Sequence, residues 1–219
     1  MKIKFIHLFF LLIAASVFVY AFFIYGKDVP LRKLPIYGKK KYELINGKSD
    51  TAFHTIHDFS FLNQDGQTVT QKNFEGSIYV TDFFFTTCQS ICPIMSNQME
   101  RVAARFKGNM EVKFLSHTVD PDIDTVEQLK RYAVQHNADS KQWMFVTGDK
   151  RLLYGIARRS YLLNAEIGDG GPDDFIHTQN FALIDKDRHI RGYYSGIDTT
   201  EMNQLMKDID LLLAESHSK

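Results

Sequence analysis

The run SIYVTDFFFTTCQSICP, residues 77–93, decides the fold of this chain. Residues 77–85 are rich in β-branched and aromatic side chains, which is typical of a buried strand. The rest of the run holds the only two cysteines of the chain, Cys88 and Cys92. Residues 94–106 then place apolar side chains at helical spacing. The run therefore predicts a strand, a loop and a helix, with a dithiol where the strand ends.

The three residues between Cys88 and Cys92 suit either a shared soft metal ion or a reversible disulfide. Because Pro93 fits the first position of a helix, we expect Cys92 at a helix N-terminus. The helix dipole and the free N–H groups favour the thiolate there, and the thiolate binds metal and exchanges disulfides. A purely structural disulfide is the alternative, but so short a loop would stabilise the fold little.

The length and charge of the chain limit the class of protein to which it can belong. The chain has 219 residues, with 26 basic and 26 acidic side chains. Its one short basic run, residues 39–41, is more typical of a solvated linker than of a nucleic-acid site. We therefore expect one domain with additional segments, and no nucleic acid among its partners.

The N-terminal residues predict a membrane anchor. Residues 5–25 form one apolar stretch that is long enough to span a bilayer, and Lys2 and Lys4 precede it. The positive-inside rule then places the N-terminus in the cytoplasm and the rest of the chain outside. A signal peptide cleaved near Ala21 is the alternative, although the apolar run continues beyond that point. We expect a single-pass protein of the bacterial inner membrane, facing the periplasm or the cell exterior.

The remaining residues divide into a linker and a domain. Residues 27–52 contain prolines, glycines and lysines with little periodicity, which is typical of a linker, and residues 53–219 read as one domain. The predicted strands are residues 53–63, 68–70, 77–85, 112–119, 143–146, 175–184 and 190–194. The predicted helices are residues 94–106, 124–136, 149–158 and 199–214. This order predicts an α/β fold with a mixed central sheet flanked by helices and an N-terminal hairpin extension.

Four motifs in this order resemble the Sco/SenC copper-chaperone branch of the thioredoxin superfamily, over about residues 53–213. They are C-x-x-x-C-P at residues 88–93, VDP followed by DT at residues 119–125, WMFVTG at residues 143–148, and IHT before FALID at residues 176–185. The resemblance implies a thioredoxin-like fold and a copper ion, Cu(I) or Cu(II), held by Cys88, Cys92 and His177. Gln89 replaces a common proline, and the turn at residues 185–189 lacks the usual glycine.

Other side chains are weaker candidates. Asp82 lies within the predicted strand, where a buried acid would have a raised pKa and could move protons to a thiol; a solvent-facing acid is the alternative. Asp120 could tune copper or contact a partner, or could merely make a turn. His117 is a candidate accessory ligand. Met95 and Met99 have the spacing of core residues more than that of ligands.

The resemblance implies a metallochaperone, not an enzyme, that passes copper to the CuA site in the copper-binding subunit of a haem–copper oxidase. The alternative is a thiol-disulfide oxidoreductase that reduces partner cysteines, itself re-reduced by a thioredoxin-like protein. Thioredoxins carry a proline before a late strand, and here His177 occupies that location, which favours metal. A peroxidase is disfavoured because no proline precedes the threonines ahead of Cys88.

Overall fold

The computed structural model describes residues 33–45, 48–163, 176 and 178–217, together with residues 7, 13, 15–17 and 20. Two compact units divide the chain, Met1–Lys33 and Leu34–Lys219. Among the described residues, no helix has both the length and the apolar character needed to cross a bilayer. Most of the predicted anchor, residues 1–26, lies outside the described residues.

The described part of the second unit contains nine strands in two sheets. The large sheet has seven strands in the order β4-β3-β7-β6-β5-β8-β9, and β1 pairs with β2 separately. The strands are β1 (Lys41–Ile45), β2 (Lys48–Ala52), β3 (Ser60–Asn63), β4 (Thr68–Thr70), β5 (Ile78–Phe84), β6 (Val112–Thr118), β7 (Trp143–Thr147), β8 (Asn180–Ile184) and β9 (Ile190–Ser195). The large sheet is mixed, because β5, β6 and β7 run parallel while β3, β8 and β9 pair antiparallel.

Four α-helices in the described part of the second unit pack on the two faces of this sheet, and one short 3-10 helix, Gln71–Phe74, follows β4. The α-helices are α1 (Cys92–Arg105), α2 (Val126–Gln135), α3 (Lys150–Arg159) and α4 (Thr199–His217). Apolar side chains of α1, α2 and α4 share one core cluster, whereas α3 contributes to a second cluster. Since fully buried parallel strands need cover on both faces, this arrangement accounts for their continuous apolar character. The prediction of an α/β fold with a mixed central sheet is confirmed.

The parallel strands fix the place of the dithiol. Phe84 at the end of β5 pairs with Thr118 at the end of β6, so both loops leave the sheet at the same edge. The loop after β5 leads to Cys88 and then to α1. The cysteines therefore lie at the carboxyl edge of the parallel strands, where α/β sheets usually place their sites.

The structure corrects the interpretation of residues 34–52 as an irregular linker. The Leu34 side chain is buried in the main core, and Arg191 donates hydrogen bonds to the carbonyls of Leu34 (2.8 Å) and Pro35 (3.2 Å). The strands β1 and β2 pair antiparallel, with Lys41 opposite Ala52 and Ile45 opposite Lys48. The dipeptide Asn46-Gly47 between these strands is a hairpin signal that the composition of the surrounding residues had obscured.

The turn between β8 and β9 functions without its usual glycine because Arg188 adopts a left-handed backbone, with φ of 65°. The Asp185 carboxylate accepts hydrogen bonds from the backbone N–H groups of Asp187 (3.0 Å) and His189 (2.8 Å). These hydrogen bonds stabilise the turn, which therefore does not need the conformational freedom of a glycine.

Candidate metal centre

Cys88 is presented by a tight turn directly after β5. Its backbone N–H donates to the Phe85 carbonyl at 3.3 Å. The side chain is half-buried, and its sulfur lies 3.5 Å from the Ser90 hydroxyl oxygen. Cys88 is therefore the sulfur that a metal ion or a partner thiol can reach from outside.

Cys92 is held by the other element of the site. It is the first residue of α1 and Pro93 is the second, whereas the prediction placed Pro93 at the first position. Its side chain is only 4% exposed and packs in the same core as Met95 and Met99, which are fully buried. The two methionines are core residues, as their helical spacing indicated. Both cysteines are free thiols.

The two thiols have opposite pKa shifts. Burial opposes ionisation of Cys88, but hydrogen bonds from the Cys92 thiol, the Ser90 hydroxyl and the backbone N–H groups of Cys92 and Ser90 lower its pKa to about 7. Burial and the hydrogen bond to Cys88 raise the pKa of Cys92 to about 12. The expectation of a thiolate at Cys92 is therefore wrong. The backbone N–H at the start of α1 does favour a thiolate, as expected, but the thiolate that it favours is that of Cys88.

Asp82 is a buried acid near the dithiol. It lies within β5, is 2% exposed, and its Oδ1 atom has no hydrogen-bond partner. Burial raises its pKa to about 7, although a hydrogen bond with Ser116 acts in the opposite direction. Its charge also contributes to the raised pKa of Cys92. Of the two sequence interpretations, the buried acid is confirmed and the solvent-facing acid is wrong.

His117 belongs to the opposite face of the sheet. Its ring stacks on Phe83 at 4.8 Å and meets Tyr161 edge-on at 5.4 Å, and both partners belong to the second core cluster. Burial lowers its pKa to about 3, with a partial offset from the backbone of Asp82. Cys92 packs in the first cluster instead. The hypothesis of an accessory ligand at His117 is therefore wrong, because the sheet separates it from the cysteines.

Asp120 makes a turn after β6. Its carbonyl accepts hydrogen bonds from the N–H groups of Ile123 (3.2 Å) and Asp124 (2.8 Å), and its own N–H donates to the Thr118 hydroxyl (2.9 Å). Partial burial and the charges of Asp124 and Asp122 raise its pKa. These contacts support the turn interpretation.

Asp124 is a buried acid beside the dithiol loop that the sequence analysis did not single out as a site residue. The predicted helix over residues 124–136 includes Asp124, but α2 begins at Val126, and its cap is Thr125, which accepts a hydrogen bond from the Gln128 N–H at 3.3 Å. Asp124 is instead fully buried, with its carboxylate bonded to Thr86 and Thr118. The only signal in the sequence was a second acidic residue directly before an adequate cap.

His177, the third ligand implied by the family resemblance, lies outside the described residues. Its neighbours are described: Ile176 is buried in the second core cluster, and the Thr178 hydroxyl accepts a hydrogen bond from the Asn180 N–H at 3.1 Å.

Two other features do not belong to the dithiol site. A cavity of about 470 Å³ lies between residues 57–61 and α3, and its lining includes neither cysteine. Within the described residues, Asp185, Asp187 and His189 also bring potential ligand atoms within 4.8 Å of one another. The Asp185 carboxylate already bonds to Arg191 at 2.9 Å and to the turn backbone, so this cluster has a structural explanation.

Comparisons with known proteins agree with this geometry. The SCO1/SenC family model matches residues 47–214. The "SCO1 protein homolog" of Bacillus subtilis is 30% identical over 162 residues, which cover 73% of this chain and 83% of the relative. The structure of BsSco, described as a member of the Sco family of cytochrome c oxidase assembly proteins with a disulfide switch, is 28% identical. It covers 73% of this chain and 93% of its own, with a TM-score of 0.62.

A third comparison extends the fold to more distant proteins. The structure of Arabidopsis thaliana ScoI with copper bound is 23% identical, covers 70% of this chain and 97% of its own, and has a TM-score of 0.57. The architecture of this chain is therefore the thioredoxin-like Sco fold, with a mixed sheet and helices on both faces.

Proposed function

The chain belongs to the SCO1/SenC family, and on that premise we propose that it is a copper metallochaperone which delivers copper to the CuA site of a haem–copper oxidase. In this role it is not an enzyme, and copper is its cargo. The proposal is supported by BsSco, a cytochrome c oxidase assembly protein, and by Arabidopsis ScoI, which binds copper.

The unequal exposure of the two free thiols carries the proposal. Two thiolates suit Cu(I), a soft ion that accepts few ligands, and an imidazole from His177 would complete a site able to hold Cu(II) as well. Because Cys92 is buried and Cys88 is half-buried, an incoming partner thiol meets Cys88 first. Copper would then pass by ligand exchange, first from Cys88 and then from Cys92.

The expected location is consistent with this role. An anchor over residues 1–26 would hold the domain at the outer face of the bacterial inner membrane, where the copper-binding subunit of an oxidase exposes its metal site. A thioredoxin-like reductant would return Cys88 and Cys92 to the dithiol form after oxidation.

Copper stoichiometry tests the proposal. The reduced full-length chain in detergent should bind one copper ion, and Cys88→Ser or Cys92→Ser should abolish tight binding. His177→Ala should keep weak Cu(I) binding but lose the thiolate–Cu(II) absorption, whereas the control His57→Ala, at an exposed histidine, should behave like the wild type. If His177→Ala binds Cu(II) like the wild type, His177 is not a ligand. Tight copper binding by the cysteine variants would refute the whole assignment.

A second candidate, a thiol-disulfide oxidoreductase, has its own supporting observation. Hydrogen bonds lower the pKa of the half-buried Cys88 to about 7 against the opposing effect of burial, and a thiol with a pKa near the ambient pH attacks disulfides most readily. A reductase needs only the cysteines, whereas a chaperone also needs the third ligand. Full oxidase activity in a His177→Ala strain at limiting copper would therefore favour the reductase.

A further inference from the structure

Hydrogen bonds from the loop after β5 and from the last residue of β6 converge on the buried carboxylate of Asp124. The Thr86 backbone N–H lies 3.2 Å from both carboxylate oxygens, and the Thr86 hydroxyl donates to Oδ1 at 2.5 Å. The Thr118 hydroxyl donates to Oδ2 at 2.5 Å. Asp124 has no exposed surface, so water does not compete for these contacts.

The contact with Thr86 bears directly on Cys88. Thr86 is the second residue of the turn that the hydrogen bond from the Cys88 N–H to the Phe85 carbonyl closes. Gln128 of α2 also donates to the Thr86 hydroxyl at 3.0 Å. Residues 83–99 contain no Asp, Glu, Lys, Arg or His, so no ion pair between such side chains within this segment can fix the turn. The carboxylate of Asp124 supplies the charged anchor from outside the segment.

Cys92 is fixed independently of this contact. It is held by the first turn of α1 and by the apolar core, and neither involves Asp124. The separation of the two sulfurs therefore depends on two separate anchors, the core for Cys92 and the Asp124–Thr86 contact for Cys88.

We propose that Asp124 is a positioning residue of the dithiol, which keeps the Cys88 turn in register with Cys92 and so sets the stability of their disulfide. The inference rests on the proposed function only in taking the dithiol as the working site. If the turn is released, Cys88 spends less time beside Cys92, and the effective concentration of one thiol at the other falls. The disulfide then forms less readily.

The redox equilibrium measures this effect without copper. Reduction of the Cys88–Cys92 disulfide by glutathione consumes two glutathione thiols and gives two cysteine thiols and one glutathione disulfide. The two electrons and two protons come from the glutathione. The equilibrium constant of this exchange compares the disulfide with the dithiol in each variant.

The experiment uses the copper-free full-length chain in detergent, equilibrated with glutathione buffers of fixed ratio. The carboxylate of Asp124 accepts from three donors, the Thr86 N–H, the Thr86 hydroxyl and the Thr118 hydroxyl. Asp124→Asn replaces one of its two acceptor oxygens with an NH₂ donor. Asp124→Asn should therefore lower the equilibrium constant for disulfide formation at least tenfold, which corresponds to a potential about 30 mV less negative. Thr118→Val and Thr86→Val, which each remove one hydroxyl donor, should lower it several-fold, and they carry the test if Asp124→Asn does not fold.

Two controls separate positioning from general stability. Asp122→Asn changes an exposed acid in the same loop and should leave the equilibrium constant within twofold of the wild type. Tyr194 lies on the edge strand β9, and Tyr194→Phe removes the buried hydrogen bond from its hydroxyl to the Asp208 carboxylate (2.7 Å). This variant should lower unfolding stability without changing the redox equilibrium. The inference would be overturned if Asp124→Asn or a threonine variant had the same equilibrium constant for disulfide formation as Asp122→Asn. It would also be overturned if Tyr194→Phe changed that equilibrium constant as much as Asp124→Asn does.

The same samples keep this inference distinct from the proposed function. Failure of the wild-type chain to bind copper would refute the chaperone proposal and leave the redox comparison standing. An unchanged redox equilibrium in Asp124→Asn, with normal copper binding in the wild type, would refute only the positioning role.

Discussion

Asp82 and His117 should oppose each other in the pH dependence of folding. His117 has its pKa lowered from 6.5 to about 3 by burial. Its contribution to stability is present above pH 6.5 and is lost as the pH falls towards 3, because the unfolded chain then binds a proton that the folded chain refuses. Asp82 has its pKa raised from 3.8 to about 7, also by burial. Its contribution is present below pH 3.8 and is lost as the pH rises through 7.

The linkage relation gives the magnitude of each effect. Between pH 7 and pH 5, His117 should cost about 2 kcal/mol of unfolding free energy, while protonation of Asp82 should return about 2 kcal/mol. The two nearly cancel in the wild type. Asp82→Asn removes the stabilisation that comes from protonation of Asp82. Between pH 7 and pH 5, the unfolding free energy of this variant should therefore fall by about 2 kcal/mol more than that of the wild type. His117→Phe removes the destabilisation that comes from the refused proton on His117, so its unfolding free energy should rise by about 2 kcal/mol relative to the wild type over the same range.

Urea unfolding of the reduced, copper-free chain at pH 5, 6 and 7 provides the measurement. Trp143 is the only tryptophan and is 2% exposed, so its fluorescence reports this domain alone in the full-length chain. All other ionisable groups are common to the three proteins and drop out of the differences. Parallel pH profiles for Asp82→Asn and His117→Phe would refute the opposite pKa shifts of these two buried groups.

Four further outcomes are expected. Iodoacetamide at pH 7.5 should modify Cys88 at least tenfold faster than Cys92, as read by fragmentation of the peptide that holds both; equal rates would contradict their pKa order. Air should produce a reversible Cys88–Cys92 disulfide that blocks copper binding until it is reduced, and copper binding by the oxidised chain would count against shared use of the thiols. An alkaline phosphatase fusion after residue 60 should be active and a cytoplasmic reporter there inactive, whereas the reverse pattern would remove the periplasmic assignment. Thr125→Ala should cost about 1 kcal/mol in urea unfolding through loss of the α2 cap, and no change would show that the cap is dispensable.

Sequence patterns were sufficient where one local signal dominates. The aromatic and β-branched run at residues 77–85 predicted β5, which spans Ile78–Phe84. The helical spacing after Cys92 predicted α1, which spans Cys92–Arg105. In each case the burial of one strand or helix face is encoded within about fifteen neighbouring residues.

The sequence was insufficient where two distant elements decide the outcome. Strand β6 is buried on both faces, so no alternation of polar and apolar residues indicated that His117 faces away from the dithiol. The pKa order of Cys88 and Cys92 depends on which sulfur the N–H groups reach, and helix position alone suggested the wrong one. The hydrogen bond from Arg191 of the edge strand β9 to the Leu34 carbonyl joins residues 157 positions apart, so no local pattern indicated it.

The Arg191 guanidinium connects both ends of the domain. Besides the carbonyls of Leu34 and Pro35, it contacts the Glu215 carboxylate in the last turn of α4 at 3.2 Å, and its side chain is 8% exposed. A protease that clipped the chain just after Pro35 would free the two carbonyls and leave a buried cation short of acceptors, a loss of about 1–3 kcal/mol. Trimming the last turn of α4 would remove a different acceptor from the same group. Damage to either terminus should therefore loosen the other, and partial digestion should attack the second end soon after the first.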